Sequence, residues 1–164
     1  MNRHLSRVII MQTLYEWDFR PNSDIKTIKQ RNIDNYNEDA DTDFIDNTIQ
    51  GVIDNIKESD EFITKAAPEW PLEQISTIDK TVLRMAVFEL LHSDEVPPKV
   101  AINEAVELGK TFGSENSSKF INGVLGTIYR QSPRYNPEDD RQKPDPNPTE
   151  TNKKDIKEDS DAHK

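Results

Sequence analysis

The sequence predicts an all-α protein of about seven helices, and three observations support this fold class. Apolar residues recur at intervals of three and four along most of the chain. No segment shows the sustained alternation of polar and apolar residues that marks a half-buried strand. Residues that start or stop helices stand between the apolar segments. With 164 residues, the chain is long enough to form one domain with a hydrophobic core.

The first half of the chain predicts four helices. Apolar residues at 5–19 form two faces at helical spacing, so we expect the first helix to be buried on two sides. A short second helix contains Ile25. The third and fourth helices are placed by apolar residues at 44–56 and 62–66.

The second half predicts a central helix followed by two more. Ser76 and Asp79 fit a capping box, and the helix that they start is apolar almost all round, which is typical of a buried helix. Pro98 suits the first turn of the next helix, and Gly113 suits its end. The last predicted helix covers 119–130.

The composition changes sharply at Pro133. Five of the ten prolines lie from this residue onward, and very few apolar residues do. Such a segment cannot bury enough surface to offset the entropy lost on ordering. We therefore predict a helical body at 1–132 and a disordered tail at 133–164.

Several functional classes are excluded by residues that the sequence lacks. It has no cysteine, so disulfides and thiolate metal sites are ruled out, and no phosphate-binding loop or nucleophile motif is present. The acidic stretch at 39–46 departs from a calcium loop at Phe44 and Gln50, and we interpret it as a solvated helix start. We predict neither enzymatic activity nor a cofactor. No apolar run approaches the ~18 residues of a membrane span, and no signal peptide is evident, so we expect a cytoplasmic protein without membrane contact.

Charge is distributed unevenly between the N-terminus and the rest of the chain. The net charge of −10 argues against a general nucleic-acid binder, which is normally basic. The first fifteen residues nevertheless contain Arg3, His4 and Arg7 and no acidic residue. This end of the molecule is a local candidate for binding an anion.

The last predicted helix has an unusual non-core face. Projection at 100° per residue places Lys119, Gly123, Gly126 and Arg130 opposite the apolar stripe, with Phe120 at its edge. Cations beside an aromatic ring suit single-stranded RNA, which binds by stacking and by phosphate contacts. Alternatively, the glycines admit a neighbouring helix and the ring belongs to the core. The residues alone leave both interpretations open.

Three longer stretches resemble a known family. The second half contains VPPKVAINEAVELGK followed by KFINGVL, and the first helix reads RHLSRVIIMQTLYEWDF. From Arg3 to about Gln131 the chain resembles the NusB family of bacterial transcription antitermination factors. The resemblance implies seven helices in two packed three-helix bundles.

The resemblance also implies a function. NusB proteins pair with NusE, a small-subunit ribosomal protein, and the pair binds the boxA RNA of nascent ribosomal RNA leaders. Other Nus factors and RNA polymerase are then engaged indirectly, and termination is suppressed. Carried onto this chain, the RNA-facing residues are Arg3, His4, Arg7, Tyr15, Asp79, Arg84 and Phe120. Asn116 falls in the region associated with NusE contact.

One departure from the family pattern affects the expected RNA affinity. His4 and Leu5 stand where family members often carry arginines. Fewer phosphate contacts predict weak RNA binding by the isolated protein and dependence on its partner. Two questions stay open: whether the chain is an RNA-binding factor or a protein-interaction module with little RNA affinity, and whether the free protein is a monomer or a homodimer.

Overall fold

The computed structural model describes residues 1–36 and 39–141, which form eight α-helices and one short 3-10 helix. The all-α prediction is confirmed, and no strand is present within these two ranges. The helices are α1 Arg3–Phe19, α2 Ile25–Tyr36, α3 Thr42–Asp54, α4 Ile56–Ala66, α5 Thr77–His92, α6 Pro98–Phe112, α7 Ser117–Arg130 and α8 Pro137–Arg141, and the 3-10 helix is Leu72–Gln74.

The helices form two three-helix bundles that share one core. Helix α1 packs against both α2 and α3, helices α5, α6 and α7 pack against one another, and α4 packs on α5 and α7. Helix α5 joins the bundles because α1 and α3 also pack against it. The apolar pattern of this helix predicted a central position, and most of its residues are buried.

Side-chain caps fix where three helices begin. Asn2 accepts a hydrogen bond from the Leu5 backbone and starts α1, while Ser76 accepts one from the Asp79 backbone and starts α5. Asp41, from the acidic stretch, accepts from the Phe44 backbone and starts α3.

The third and fourth helices meet at one residue, which the apolar spacing did not reveal. Asn55 ends α3 through backbone bonds to Gly51 and Val52, and α4 begins at Ile56. The predicted third helix therefore runs too far by two residues, because the apolar spacing continues across the break at Asn55.

The ordered body extends past the predicted boundary at Ser132. Arg134 donates hydrogen bonds to the carbonyls of Glu89, Leu90, Ser93 and Val96, at 2.7 to 3.2 Å, and so satisfies the C-terminal end of α5. Tyr135 packs against the core. The start of the predicted tail is thus folded, and α8 is an eighth helix beyond the seven expected. The rest of the predicted tail, from residue 142, lies outside the described residues.

None of the helices in the described ranges is both long enough and apolar enough to cross a bilayer.

Candidate nucleic-acid interface

Most of the predicted RNA-facing residues lie near one or the other end of α5, and Arg84 lies between the two ends. Asp79 lies in its first turn, near Phe120 and Asn116, whereas Arg7 meets α5 at Glu89. Ten residues of helix separate these two positions on α5, which corresponds to about 15 Å. The sequence-based set is therefore two clusters rather than one continuous patch.

Arg7 occupies an interior position between α1 and α5. Its Nε donates to Glu89 Oε1 at 3.0 Å and its Nη2 to Oε2 at 3.4 Å. Arg7 is 5% exposed and Glu89 3% exposed. Burial raises the pKa of Glu89 above its ordinary value, although the nearby Arg7 charge opposes this shift. Arg7 thus links two helices and presents no charge to solvent, unlike the RNA-facing role implied by resemblance.

Arg3 and His4 lie nearer the surface, and each has acidic neighbours. The Arg3 guanidinium is 3.5 Å from both Asp41 and Glu95 and lies 4.4 Å from the centre of the Phe44 ring. His4 is exposed, with Nδ1 3.0 Å from a Glu104 carboxylate oxygen. Within the described residues, the local positive charge seen in the sequence is offset by carboxylates from other elements.

Arg84 lies on the side of α5 that faces α1 and α4, and Tyr15 lies on α1. Arg84 forms a bidentate pair with Asp60 at 2.8 and 2.9 Å and approaches Asp18 at 3.4 Å. Burial alone would lower the pKa of Arg84, but the hydrogen bonds and charge of Asp60 raise it above its ordinary value. Tyr15 is half-buried and makes an edge contact with Phe19, with ring centres 4.9 Å apart.

A cavity of about 260 Å³ opens between the starts of α5 and α7. It brings together three of the predicted residues, Asp79, Asn116 and Phe120. The Trp70 and Phe120 rings form a corner in its wall, with centres 6.3 Å apart and planes at 71°. The remaining lining residues are mostly small or polar: Gln74, Ile75, Ser76 and Ser114.

The outer face of α7 differs in part from the helical projection. Lys119, Gly123 and Arg130 are exposed as expected, and a Cβ at Gly123 would meet nothing within 4 Å. Gly126 is buried, which corrects its predicted place on the outer face. Helix α7 packs against α4, α5 and α6, so its buried arc is wider than the apolar stripe. Phe120 is half-buried and contacts the core while it lines the cavity.

Two residues that shape these clusters were not identified from sequence. Trp70 is 50% exposed and stands between Pro68 and Pro71. An aromatic residue in a loop between prolines does not belong to the apolar face of a helix, and this position was the signal for Trp70 in the sequence. For Glu89 the signal was a carboxylate within the apolar second half of α5, since such a charge needs a buried partner.

Comparison with known proteins identifies the family. The NusB family model matches residues 4–130 of this chain. The chain belongs to the NusB family. Two curated relatives are both named transcription antitermination protein NusB. The one from Dehalococcoides mccartyi (strain CBDB1) is 42% identical over 77% of this chain and 89% of its own length. The one from Clostridium acetobutylicum is 37% identical over 80% of this chain and 98% of its own length.

Solved NusB structures share the fold. NusB of T. maritima superposes with a TM-score of 0.72 at 31% identity, covering 80% of this chain and 93% of that one. A structure of the antitermination factors NusB and NusE in complex with dsRNA gives a TM-score of 0.70 at 24% identity, covering 79% and 96% of the two chains. This second likeness concerns the fold alone.

Proposed function

We propose that this chain is a non-enzymatic transcription antitermination factor that binds boxA-type RNA together with NusE. The observation that carries the proposal is membership of the NusB family over residues 4–130. A solved structure contains NusB together with NusE and dsRNA, and NusE and RNA are therefore the candidate partners of this chain. In the proposed role, the RNA–NusE complex joins other Nus factors at RNA polymerase, in the cytoplasm, and opposes termination.

The start of α7 and the loop beside it carry exposed groups that can contact RNA. Phe120 and Trp70 provide aromatic surface, and Lys119 beside Phe120 is exposed. Stacking on aromatic rings and contacts from nearby cations are the two interactions that bind single-stranded RNA. Asn116, at the same cavity, is exposed and available to NusE or to RNA. We therefore centre the proposed interface on this end and assign Arg7 a supporting role.

A protein-interaction module with little RNA affinity is the second candidate. The observation that favours it is the pairing of the predicted cations: Arg7 with Glu89, and Arg84 with Asp60 and Asp18. Under this alternative, NusE binds and RNA does not.

Fluorescence anisotropy of a labelled boxA RNA, with and without NusE, tests the proposal. We expect weak binding by the protein alone, stronger binding with NusE, and a loss of about tenfold for Phe120→Ala if one stacked base is lost. Phe112→Ala is the matched control because Phe112 is 37% exposed at the end of α6 and does not line the cavity. Circular dichroism checks that both variants fold.

The same titration distinguishes the two candidates. If the anisotropy of the labelled RNA does not change while NusE is bound to the protein, the RNA-binding proposal is overturned and the interaction module is favoured. Sedimentation of the free protein in the same buffer reports whether it is a monomer or a homodimer.

A further inference from the structure

We propose that Asp41 and Glu95 compete with RNA for Arg3 and so limit the RNA affinity of the isolated protein. The two carboxylates take the place at the Arg3 guanidinium that an RNA phosphate would otherwise occupy. The inference rests on the proposed function and adds to it two residues that oppose RNA binding from within the chain.

The start of α1 is held against the loop that precedes α3. The Asn2 backbone donates a hydrogen bond to the Asp39 carbonyl at 2.8 Å, and the Asp41 backbone donates one to Ser6 Oγ at 2.8 Å. These bonds tie the backbone on both sides of Arg3 to the backbone at Asp41. The contact between the Arg3 and Asp41 side chains therefore follows from how two backbone segments pack.

Asp41 uses one carboxylate oxygen for α3 and the other for Arg3. Its Oδ1 accepts a hydrogen bond from the Phe44 backbone at 3.1 Å and caps α3, while its Oδ2 lies 3.5 Å from Arg3 Nε. The cap fixes the carboxylate, because a carboxylate that turned away would leave a helix N–H group without its acceptor. The Phe44 ring, 4.4 Å from the guanidinium, holds Arg3 at the same place.

Glu95 supplies a second carboxylate from the loop between α5 and α6. Its Oε2 lies 3.5 Å from Arg3 Nη2. The Arg3 side chain is 40% exposed and can be reached from solvent, but two carboxylates surround one guanidinium. A phosphate that approaches Arg3 therefore meets two like charges at short range. His4 does not offset them, because its Nδ1 lies 3.0 Å from a Glu104 carboxylate oxygen.

The pairs of Arg3 are loose enough to be separated without unfolding the protein. Their 3.5 Å distances exceed the length of a strong charged hydrogen bond, about 2.7–2.9 Å. Exposed ion pairs of this kind contribute little to stability. Arg7, by contrast, is buried with Glu89, and its release would disturb the interior. Arg3 is therefore the arginine of α1 whose availability to RNA the carboxylates control.

Removal of both charges tests the inference in the full chain. Asp41→Asn/Glu95→Gln keeps the cap of α3, because the asparagine side-chain oxygen also accepts from the Phe44 backbone. Fluorescence anisotropy of a labelled boxA RNA without NusE should show a gain in affinity of about fivefold, within the range of two exposed ion pairs. The slope of log affinity against log salt should steepen by roughly 0.7, the contribution of one further phosphate contact on a single strand.

A double variant with the same change in net charge is the matched control. Glu61→Gln/Glu107→Gln alters exposed positions on α4 and α6, and neither is among the carboxylates that contact Arg3 in the described part of the chain. At about 0.1 M salt this control should change the affinity by less than about twofold, because distant surface charges are screened. It should leave the salt slope unchanged.

Arg3→Ala shows whether the gain passes through Arg3. In the wild type, this substitution should change the affinity by less than about twofold, because Arg3 is not yet engaged with phosphate. Added to Asp41→Asn/Glu95→Gln, it should remove the gain. Urea unfolding checks the stability of each protein. If Asp41→Asn weakens folding, Glu95→Gln alone, at a side chain that is 81% exposed, should still give about a twofold gain.

An RNA of unrelated sequence distinguishes a phosphate contact from a base contact. Phosphate contacts carry no sequence information, so the released Arg3 should improve binding of boxA RNA and of the unrelated RNA by the same factor. A gain confined to boxA RNA would assign Arg3 to a base edge and overturn the inference.

The outcomes also separate the inference from the proposed function. Equal gains in the two double variants, or a gain that survives Arg3→Ala, overturn the inference. The proposed function stands in both cases if the wild type binds boxA RNA with NusE. If none of the proteins binds RNA, with or without NusE, both the inference and the proposed function are overturned.

Discussion

Arg7 was predicted to face RNA, but in the structure it forms a buried ion pair with Glu89. Their carboxylate–guanidinium pair lies between α1 and α5, and Arg7 also approaches the Phe44 ring at 5.1 Å. A buried pair adds little net stability, but removing one partner leaves the other charge unpaired, which typically costs 3–5 kcal/mol. If an Arg7 variant loses RNA binding, we therefore expect loss of folding, and not loss of an RNA contact, to be the cause.

The raised pKa of Glu89 gives stability a predictable pH dependence. The folded protein holds the Glu89 proton to a higher pH than the unfolded chain does, because burial disfavours the charged form. This contribution is fully present below the ordinary pKa of 4.5 and is lost as pH rises through the folded-state pKa. We expect the unfolding free energy of the wild type, relative to Glu89→Gln, to fall between pH 4.5 and neutrality.

Urea unfolding of both proteins across this pH range measures the difference. Glu107→Gln, an exposed position on α6, is the control and should run parallel to the wild type. If the unfolding free energy of the wild type relative to Glu89→Gln rises with pH, the Arg7 charge has a larger effect on the pKa of Glu89 than burial does.

Helix α7 has one packed face and one face on which the backbone at Gly123 is exposed. An interior glycine costs a helix roughly 1 kcal/mol relative to alanine. At Gly123 no neighbouring atom lies within 4 Å of an added Cβ, so intramolecular packing does not require glycine there. At Gly113 an added Cβ would lie 2.7 Å from the Gly109 carbonyl oxygen and 2.6 Å from Ser117 Cβ, and glycine is required.

Alanine substitutions should therefore have opposite effects at these two positions. Gly123→Ala should raise the unfolding free energy by up to ~1 kcal/mol, while Gly113→Ala should lower it by about 1–3 kcal/mol through overpacking. Urea denaturation measures both. Weaker binding of NusE or RNA by a stabilised Gly123→Ala protein would assign the bare backbone to a partner surface; unchanged binding of both would exclude that role.

Helix positions were largely predictable, because their signals are local. The Ser76 cap, Pro98 and Gly113 lie within a few residues of the boundaries that they mark, and the structure has α5 and α6 at those places. The interior of α7 was less predictable. Gly126 is buried in a helix that packs against α4, α5 and α6, and a projection of one helix contains no information about its neighbours.

At the scale of the whole molecule, the candidate site was predictable in part. Resemblance gave Asp79 and Phe120 as RNA-facing and Asn116 as a residue of the NusE contact region, and the structure has all three around one cavity. The partners of the basic residues were not predictable, since Arg7 and Glu89 are 82 positions apart. Trp70 was missed for a similar reason, because its ring contact with Phe120 joins a loop to a helix in the other half of the chain.

The distribution of charge predicts weak salt dependence for RNA binding by the isolated protein. Arg7 and Arg84 are internally paired, and Arg3 lies beside Asp41 and Glu95, which leaves Lys119 and Arg130 as the exposed cations of the proposed interface. Two phosphate contacts on a single strand correspond to a slope of roughly −1.4 in log affinity against log salt. A salt titration by anisotropy without NusE measures this slope, and a value as steep as −4 would contradict the prediction.

The long-range bonds of α5 also set the order in which the molecule can be completed during synthesis. Helix α1 emerges first, but the partner of Arg7 follows 82 residues later, and the Arg134 side chain that satisfies the end of α5 follows 45 residues after Glu89. A growing chain that ends after α4 carries an unpaired Arg7 and an α1 without its α5 contacts. The N-terminal bundle consequently reaches its final packing only after α5, which ends at His92, has been made.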